Sequence, residues 1–68
     1  MDELNLVMQA LIKLQNENPM WSTNRIMWSR MSETNKELWW YRAQQQAAKG
    51  VAPMQALVLK VIELRLKK

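Results

Sequence analysis

The sequence predicts an all-α protein, a compact bundle of about four helices, and three observations support this prediction. Apolar residues recur at the three- and four-residue spacing of a helix face. No stretch has the alternation of apolar and polar residues that marks a strand, and the prolines and the single glycine stand where helices would begin or end. The 68 residues suffice for one domain, 1–68, whose core must be thin.

The first helix is predicted over about residues 2–16 and the second over about 23–31. Asp2 and Glu3 suit the positive end of the first helix, and Pro19 ends it. Ser22 or Thr23 is expected to cap the second helix through its hydroxyl. The apolar stripe predicted to face the core from the first helix consists of Leu4, Val7, Met8, Leu11, Ile12 and Leu14.

The third helix is predicted over about 33–48, with Ser32 as its cap. Gly50 suits the left-handed position that closes a helix, and Pro53 suits the first turn of the fourth. The predicted inner face of the fourth helix consists of Met54, Leu57, Val58, Val61, Ile62 and Arg65.

Composition argues against catalysis. The chain has no cysteine and no histidine, so thiol nucleophiles, imidazole bases and Cys/His metal sites are excluded. Glu33 and Glu37 lie one helical turn apart with Lys36 between them in sequence, and this group is interpreted as solvated surface. We therefore expect no enzyme, no cofactor, no metal and no small-molecule substrate.

The formal charge of +4 is unevenly distributed. The basic residues concentrate in the middle and at the end of the chain, and the start is acidic. This distribution favours an anionic partner. No targeting segment or apolar run of membrane-spanning length is visible, so a cytoplasmic location and no membrane are expected.

Two features exceed what a small monomer needs. The fourth helix carries a second apolar line, Leu59, Ile62 and Leu66, which indicates either a homodimer or a central helix wrapped by the other three. The third helix carries four bulky residues in succession, Leu38 to Tyr41, which point in all directions. Leu38 and Tyr41 are expected to share one side, and Trp39 is expected to be exposed or packed under a loop.

The segment from Ser22 to Glu63 resembles the helix-turn-helix domains of Xre/Cro-type repressors, including small phage regulators. The resemblance rests on the capped start Ser22-Thr23-Asn24-Arg25-Ile26-Met27 and on the polar run Ser32-Glu33-Thr34-Asn35-Lys36. It rests further on the aromatic run Trp39-Trp40-Tyr41 and, most of all, on Gly50-Val51-Ala52-Pro53-Met54. The chain departs from the family at the motif turn, where Met31-Ser32 has no glycine and one residue fewer, and at Lys36, whose position is usually apolar.

The resemblance implies a dimeric, DNA-binding transcriptional regulator, such as a repressor, whose third helix enters the major groove of double-stranded DNA. It implies base contacts from Thr34, Asn35 and Lys36. It implies phosphate contacts from four further basic residues, namely Arg25, Arg30, Arg42 and Lys49. Dimerisation would use Leu59, Ile62 and Leu66.

Two alternatives remain open from the residues alone. One is a protein-binding helical module, such as a small phage-type inhibitor or adaptor, that uses an exposed surface of Trp39 and nearby methionines. The other is a peripheral membrane helix formed by the basic, amphipathic last segment, although Leu59 and Leu66 broaden its apolar face beyond a clean division.

Overall fold

The helices follow one another through very short joints. In the computed structural model, which describes residues 3–67, α1 is Glu3–Glu17, α2 is Ser22–Arg30, α3 is Glu33–Ala48 and α4 is Ala52–Leu66. A 3-10 turn, Pro19–Trp21, precedes α2 and was not indicated by the sequence pattern. Residues 3–67 contain no strand, and the prediction of an all-α bundle of four helices is confirmed.

The start of α2 differs from the prediction. Neither Ser22 nor Thr23 caps it, because the 3-10 turn runs directly into the helix and leaves no extended residue from which a hydroxyl could reach back. The side chain of Asn18 instead accepts a hydrogen bond from the Met20 backbone N–H, at 3.1 Å, and so caps the 3-10 turn. The turn and α2 therefore form one continuous helical segment with a single cap.

Both ends of α3 follow the prediction. Ser32 is extended and its hydroxyl accepts the backbone N–H of Asn35 at 3.3 Å. At the other end Gly50 has φ +99°, a left-handed conformation that favours glycine. The N–H of Gly50 donates to the carbonyl of Ala47, and that of Val51 to the carbonyl of Gln46. These two bonds form a Schellman motif, which fixes the sharp reversal from α3 into α4.

The core is built mainly from α1 and from tryptophans. Leu11, Val7 and Ala10 are fully enclosed, and so is Leu57 of α4. Trp28 of α2 is 1% exposed, and its ring meets that of Trp39 of α3 edge to face, with centroids 5.6 Å apart. Trp39 is thus half-buried against another tryptophan, neither exposed nor packed under a loop. The buried residues are Leu6, Val7, Ala10, Leu11, Leu14, Trp21, Trp28, Trp40, Ala43, Leu57 and Val61.

The core-facing stripes are rotated relative to their predicted positions. Ile12 and Ile62, both predicted to be inside, are 42% and 40% exposed, whereas Leu6 and Ala10 are buried. The reason is that α1 packs against α4 on one side and against α2 and the 3-10 turn on another, so its buried face is centred nearer Ala10 than the apolar stripe alone suggests.

The helices α3 and α4 run antiparallel. Gln55, near the start of α4, donates to the carbonyl of Ala47 at the end of α3. At the opposite end of the pair, the carboxylate of Glu3 accepts both the indole N–H of Trp40, at 2.8 Å, and the guanidinium of Arg65. The second apolar line of α4, which consists of Leu59, Ile62 and Leu66, is exposed. The other three helices therefore do not surround α4 on all sides.

Candidate nucleic-acid interface

The two residues at the start of α3, Thr34 and Asn35, lie on its exposed side. The Ser32 cap fixes the first turn, so the direction of both side chains is set by the helix. Neither side chain has a hydrogen-bond partner among residues 3–67. The backbone N–H of Asn35 donates to the hydroxyl of Ser32. The structure therefore brings these two predicted base-contacting residues together on solvent-facing surface.

Lys36 lies elsewhere. It is half-buried, and its Nζ sits over the ring of Trp28 at 5.7 Å from the centroid. At about 100° per residue, Lys36 lies about 200° around the helix from Thr34, on the side that faces α1 and α2. The ammonium group of Lys36 rests on an aromatic face, a cation–π interaction of about 0.5–2 kcal/mol. The structure thus does not join Lys36 to Thr34 and Asn35.

Three exposed residues form a line along the outer side of α3, which we call the α3 polar line: Asn35, Arg42 and Lys49. Steps of seven residues drift by only about 20° each on a helix, so the three side chains project in nearly the same direction. The two carboxylates of this helix, Glu37 and Glu33, lie roughly 140° and 180° around from Arg42. The outer side of α3 is therefore basic even though the helix as a whole is not.

The two predicted phosphate contacts on α2 have different surroundings. Arg25 is half-buried, and its Nε donates to the side-chain oxygen of Gln15, so it links α2 to α1. Arg30 is exposed in the last turn of α2, where a positive charge suits the negative end of the helix. Arg30 lies three residues before α3 begins, whereas Arg25 is held against α1 by Gln15.

Ion pairs are confined to one side of the molecule. Within residues 3–67, Lys60 pairs with Glu17 at 3.0 Å and with Glu63 at 3.9 Å, and Arg65 pairs with Glu3. The hydrogen bond to Glu17 raises the pKa of Lys60 above its ordinary value, with the charges of Glu17 and Glu63 adding to the effect and desolvation opposing it. Every one of these groups belongs to α1 or α4.

The basic residues of segment 22–49 lack such partners. Within the described part of the chain, none of them forms an ion pair with a carboxylate. They are Arg25, Arg30, Lys36, Arg42 and Lys49. Their charge is therefore not neutralised within the protein, and it is available to an anionic partner.

A second surface lies on the opposite flank of α3, where α3 meets α4. The predicted dimer residues are exposed there: Leu59 by 59%, Ile62 by 40% and Leu66 by 78%. An open groove of about 500 Å³ runs between the helices, lined by Gln44, Ala47, Ala48, Gln55, Val58 and Leu59. We call the groove with Tyr41, Ile62 and Leu66 the α3–α4 face.

Tyr41 of this face was not singled out by the sequence as an interface residue. It is 60% exposed and lies three and seven residues before Gln44 and Ala48, which places it on the groove side of α3. Leu38 is also exposed, by 54%, as its predicted sharing of a side with Tyr41 requires. The signal for Tyr41 was its seven-residue spacing to Ala48, which becomes informative only once α4 is known to lie alongside.

Comparison with known proteins gives no identification: no family model matches the chain, and neither a curated protein nor a solved structure is similar to it. No helix within residues 3–67 is long and apolar enough to cross a membrane. In the same residues, no group of three or more acidic, histidine or cysteine side chains could hold a metal ion.

Proposed function

We propose that the protein is a DNA-binding regulator that contacts duplex DNA through the outer side of α3 and acts as a symmetric dimer. The observation that carries this proposal is the alignment of basic side chains on α3. Lys13 and Lys67, like Arg30, have no carboxylate partner among residues 3–67, but Arg42 and Lys49 also project in one direction, away from Glu33 and Glu37. A surface of basic side chains without carboxylate partners along one helix is the electrostatic footprint of a nucleic-acid-binding protein.

The helix itself suits the major groove. Sixteen residues make α3 about 24 Å long, and the major groove of B-DNA is about 12 Å wide, enough to admit one helix. Thr34 and Asn35 would face base edges, where a carboxamide can pair bidentately with adenine. Arg42, Lys49 and Arg30 would contact phosphates and fix the register. Lys36 contacts the ring of Trp28, and Arg25 is hydrogen-bonded to Gln15. Because both side chains have partners within the protein, we assign neither of them a contact with DNA.

The dimer would form by pairing of two α3–α4 faces. This surface is apolar and lacks charged side chains along its groove, so two copies that each carry +4 can approach there without bringing like charges together. An interface of standard size takes about 800 Å² from each partner, roughly a sixth of the 4684 Å² surface of the described residues. Burial of exposed leucines and Tyr41 on both copies gives such an interface an apolar centre.

Dimerisation through this face leaves the α3 polar line free, because the two surfaces lie on opposite flanks of the helix. In such a dimer the two polar lines face away from each other, so each copy presents its own contact surface to DNA.

The experiment is a salt series of binding to duplex DNA, with two charge-matched double variants. The double variant Arg42→Gln with Lys49→Gln removes two positive charges from the α3 polar line. Lys13→Gln with Lys67→Gln removes two bases from the side formed by α1 and α4. We expect the first variant to bind about tenfold or more weakly than the wild type and to lower the salt slope by about 2, and the second to change both less.

Two results would contradict the DNA proposal. One is absence of binding at about 50 mM salt, where phosphate contacts are strongest. The other is an equal loss in the two double variants, which would mean that only net charge matters. If a preferred sequence is selected, Asn35→Ala is expected to reduce the preference by about 1–3 kcal/mol per site, while Lys36→Met leaves the preference unchanged.

The dimer is tested separately by sedimentation. We expect a concentration-dependent dimer in the wild type, and a monomer when Leu59→Glu and Leu66→Glu introduce charges on the face. Thr23→Glu, on exposed α2 surface, is the control that should leave the dimer intact. A wild-type monomer at the highest soluble concentration would contradict the dimer and leave the α3–α4 face to another protein.

That outcome bears on the second candidate function, a protein-binding module. An exposed tryptophan surface does not support it, because Trp21, Trp28 and Trp40 are buried and Trp39 is half-buried against Trp28. Met20 is 83% exposed on the 3-10 turn, where it lines a shallow pocket with Trp21 and Pro53, and Met27 of α2 is 38% exposed. The observation that favours a protein partner is the exposed apolar surface of the α3–α4 face. We propose that a second copy of this chain binds there.

A further inference from the structure

A cleft lies between the first turn of α2, the middle and second half of α3, and the start of α4. Its volume is about 330 Å³. Its walls combine an indole, a guanidinium, two carboxamides, a thioether and a methyl group, and contain no carboxylate. The residues of this α2–α3 cleft are Asn24, Trp39, Arg42, Ala43, Gln46 and Met54.

The polar side chains of the cleft have no partners within the protein. Across residues 3–67, the side chains of Asn24, Arg42 and Gln46 form no hydrogen bond and no ion pair. Asn24 is half-buried, and its carboxamide atoms remain accessible to solvent at the cleft. The unpaired groups thus converge on one concave site.

Three glutamines elsewhere in the molecule, by contrast, have partners within the protein. Gln15 accepts from Arg25, Gln44 donates to the carbonyl of Trp40, and Gln55 donates to the carbonyl of Ala47. The free groups of Asn24 and Gln46 remain open to an external molecule.

We propose that the α2–α3 cleft binds a single nucleotide, with its base against Trp39 and its phosphate on Arg42. The edge-to-face contact with Trp28 occupies at most one face of the Trp39 ring, so a planar base can lie against the other face or its margin. Base stacking on an aromatic side chain contributes binding for any base. The carboxamides of Asn24 and Gln46 offer both donors and acceptors to base edges, and a guanidinium binds phosphate with two parallel hydrogen bonds.

Size and charge fit the same ligand. Sites for small ligands begin at about 300 Å³, so the cleft accommodates one nucleotide and no larger cofactor. The absence of a carboxylate from its walls removes the repulsion that a phosphate would otherwise meet. The nucleotide can be a free monophosphate or one unstacked unit of a single strand, because both present a base and an adjacent phosphate.

The cleft shares Arg42 with the proposed duplex-binding surface. A guanidinium that holds a nucleotide phosphate cannot at the same time hold a phosphate of the duplex. A nucleotide in the cleft is therefore expected to weaken duplex binding, and a duplex to weaken nucleotide binding by the same factor. The nucleotide site nonetheless stands on its own geometry and does not require that duplex DNA binds.

The experiment follows the four indole N–H resonances of the intact protein during titration with deoxyadenosine monophosphate to about 10 mM, where a dissociation constant of about 1 mM gives nearly full occupancy. Trp39→Phe identifies the Trp39 signal. We expect that signal to shift and that of Trp40, which is bonded to Glu3, to stay in place. Deoxyribose 5-phosphate, which lacks a base, should bind at least tenfold more weakly, and a short single strand tests the polymeric source.

Asn24→Ala is expected to weaken nucleotide binding about fivefold to tenfold, while duplex affinity is unchanged because Asn24 lies off the α3 polar line. Gln45→Ala, an exposed glutamine outside the cleft, is the control and should change neither. Shifts at Trp39 with either the free nucleotide or the strand support the site and name its source. No shift with either ligand, or equal effects of Asn24→Ala and Gln45→Ala, overturns it, whatever the result with duplex DNA.

Discussion

The side of the molecule formed by α1 and α4 and the side formed by α2 and α3 use their charged residues in opposite ways. On the first side, carboxylates and bases pair across helices, and these bonds reinforce an apolar core that includes five residues of α1. On the second side, the bases remain unpaired among residues 3–67, and α3 buries only Trp40 and Ala43 over sixteen residues. The first side supplies most of the core and the ion pairs, and the second leaves the outer surface of α3 exposed to solvent.

The largest effect that tests this division concerns the core of the first side. Leu11→Ala removes a fully enclosed side chain and is expected to destabilise the protein by about 2–5 kcal/mol. Ile12→Ala, at the neighbouring position with 42% exposure, is the control and should cost less than about 1.5 kcal/mol. Urea denaturation followed by tryptophan fluorescence measures both. Equal losses would mean that the rotated face of α1 is misplaced.

A smaller effect concerns the carboxylates of the two sides. Glu3→Ala removes the acceptor of both Trp40 and Arg65 and leaves the buried indole N–H without its partner, so a loss of about 1–2 kcal/mol is expected. Glu37→Ala, on the exposed surface of α3, should change the free energy of unfolding by no more than about 0.5 kcal/mol. The contrast between the two sides fails if Glu37→Ala proves as costly as Glu3→Ala.

The smallest expected effect is a change, seen only at alkaline pH, in how much Lys60 contributes to the stability of the fold. The pKa of Lys60 is raised in the folded protein, so its pairing with Glu17 contributes fully below the ordinary value of 10.5 and is lost as the pH rises through the higher folded value. The stability difference between the wild type and Lys60→Gln should therefore be constant near neutrality and shrink above about pH 10.5. Denaturation curves recorded from pH 8 to 12 measure it, and a difference that grows in alkali would reverse the assignment.

Local chemistry explains which parts of the fold could be predicted. The ends of α3 depend on Ser32 and Gly50 acting on their own neighbours, and both were predictable from a few adjacent residues. The 3-10 turn was not, because Asn18 caps it in a way that competes with the equally plausible hydroxyls of Ser22 and Thr23. The rotation of α1 depends on where α4 and α2 pack against it, which its own periodicity does not record.

The same limit applies to the candidate sites. The exposure of Leu59 and Leu66 followed from a helix that was apolar on too many sides, and the line through Arg42 and Lys49 follows from a seven-residue spacing. The placement of Lys36 over Trp28 and the edge contact of Trp39 join residues from different helices. The α2–α3 cleft depends on the approach of Asn24 to Gln46, 22 positions later in the chain, and no local pattern marks it.

The contact between Glu3 and Arg65 has a consequence for the connectivity of the chain. It places residues that are 62 positions apart at one corner of the molecule, beside Trp40. A short glycine-rich linker could therefore connect the end of α4 to the start of α1, and the chain could be reopened at the Met31-Ser32 joint to give a circular permutant with the same four helices. In such a permutant α3 would come first in the sequence and α2 last, and Trp28 and Trp39 would have to find each other without the two-residue joint that now holds them together.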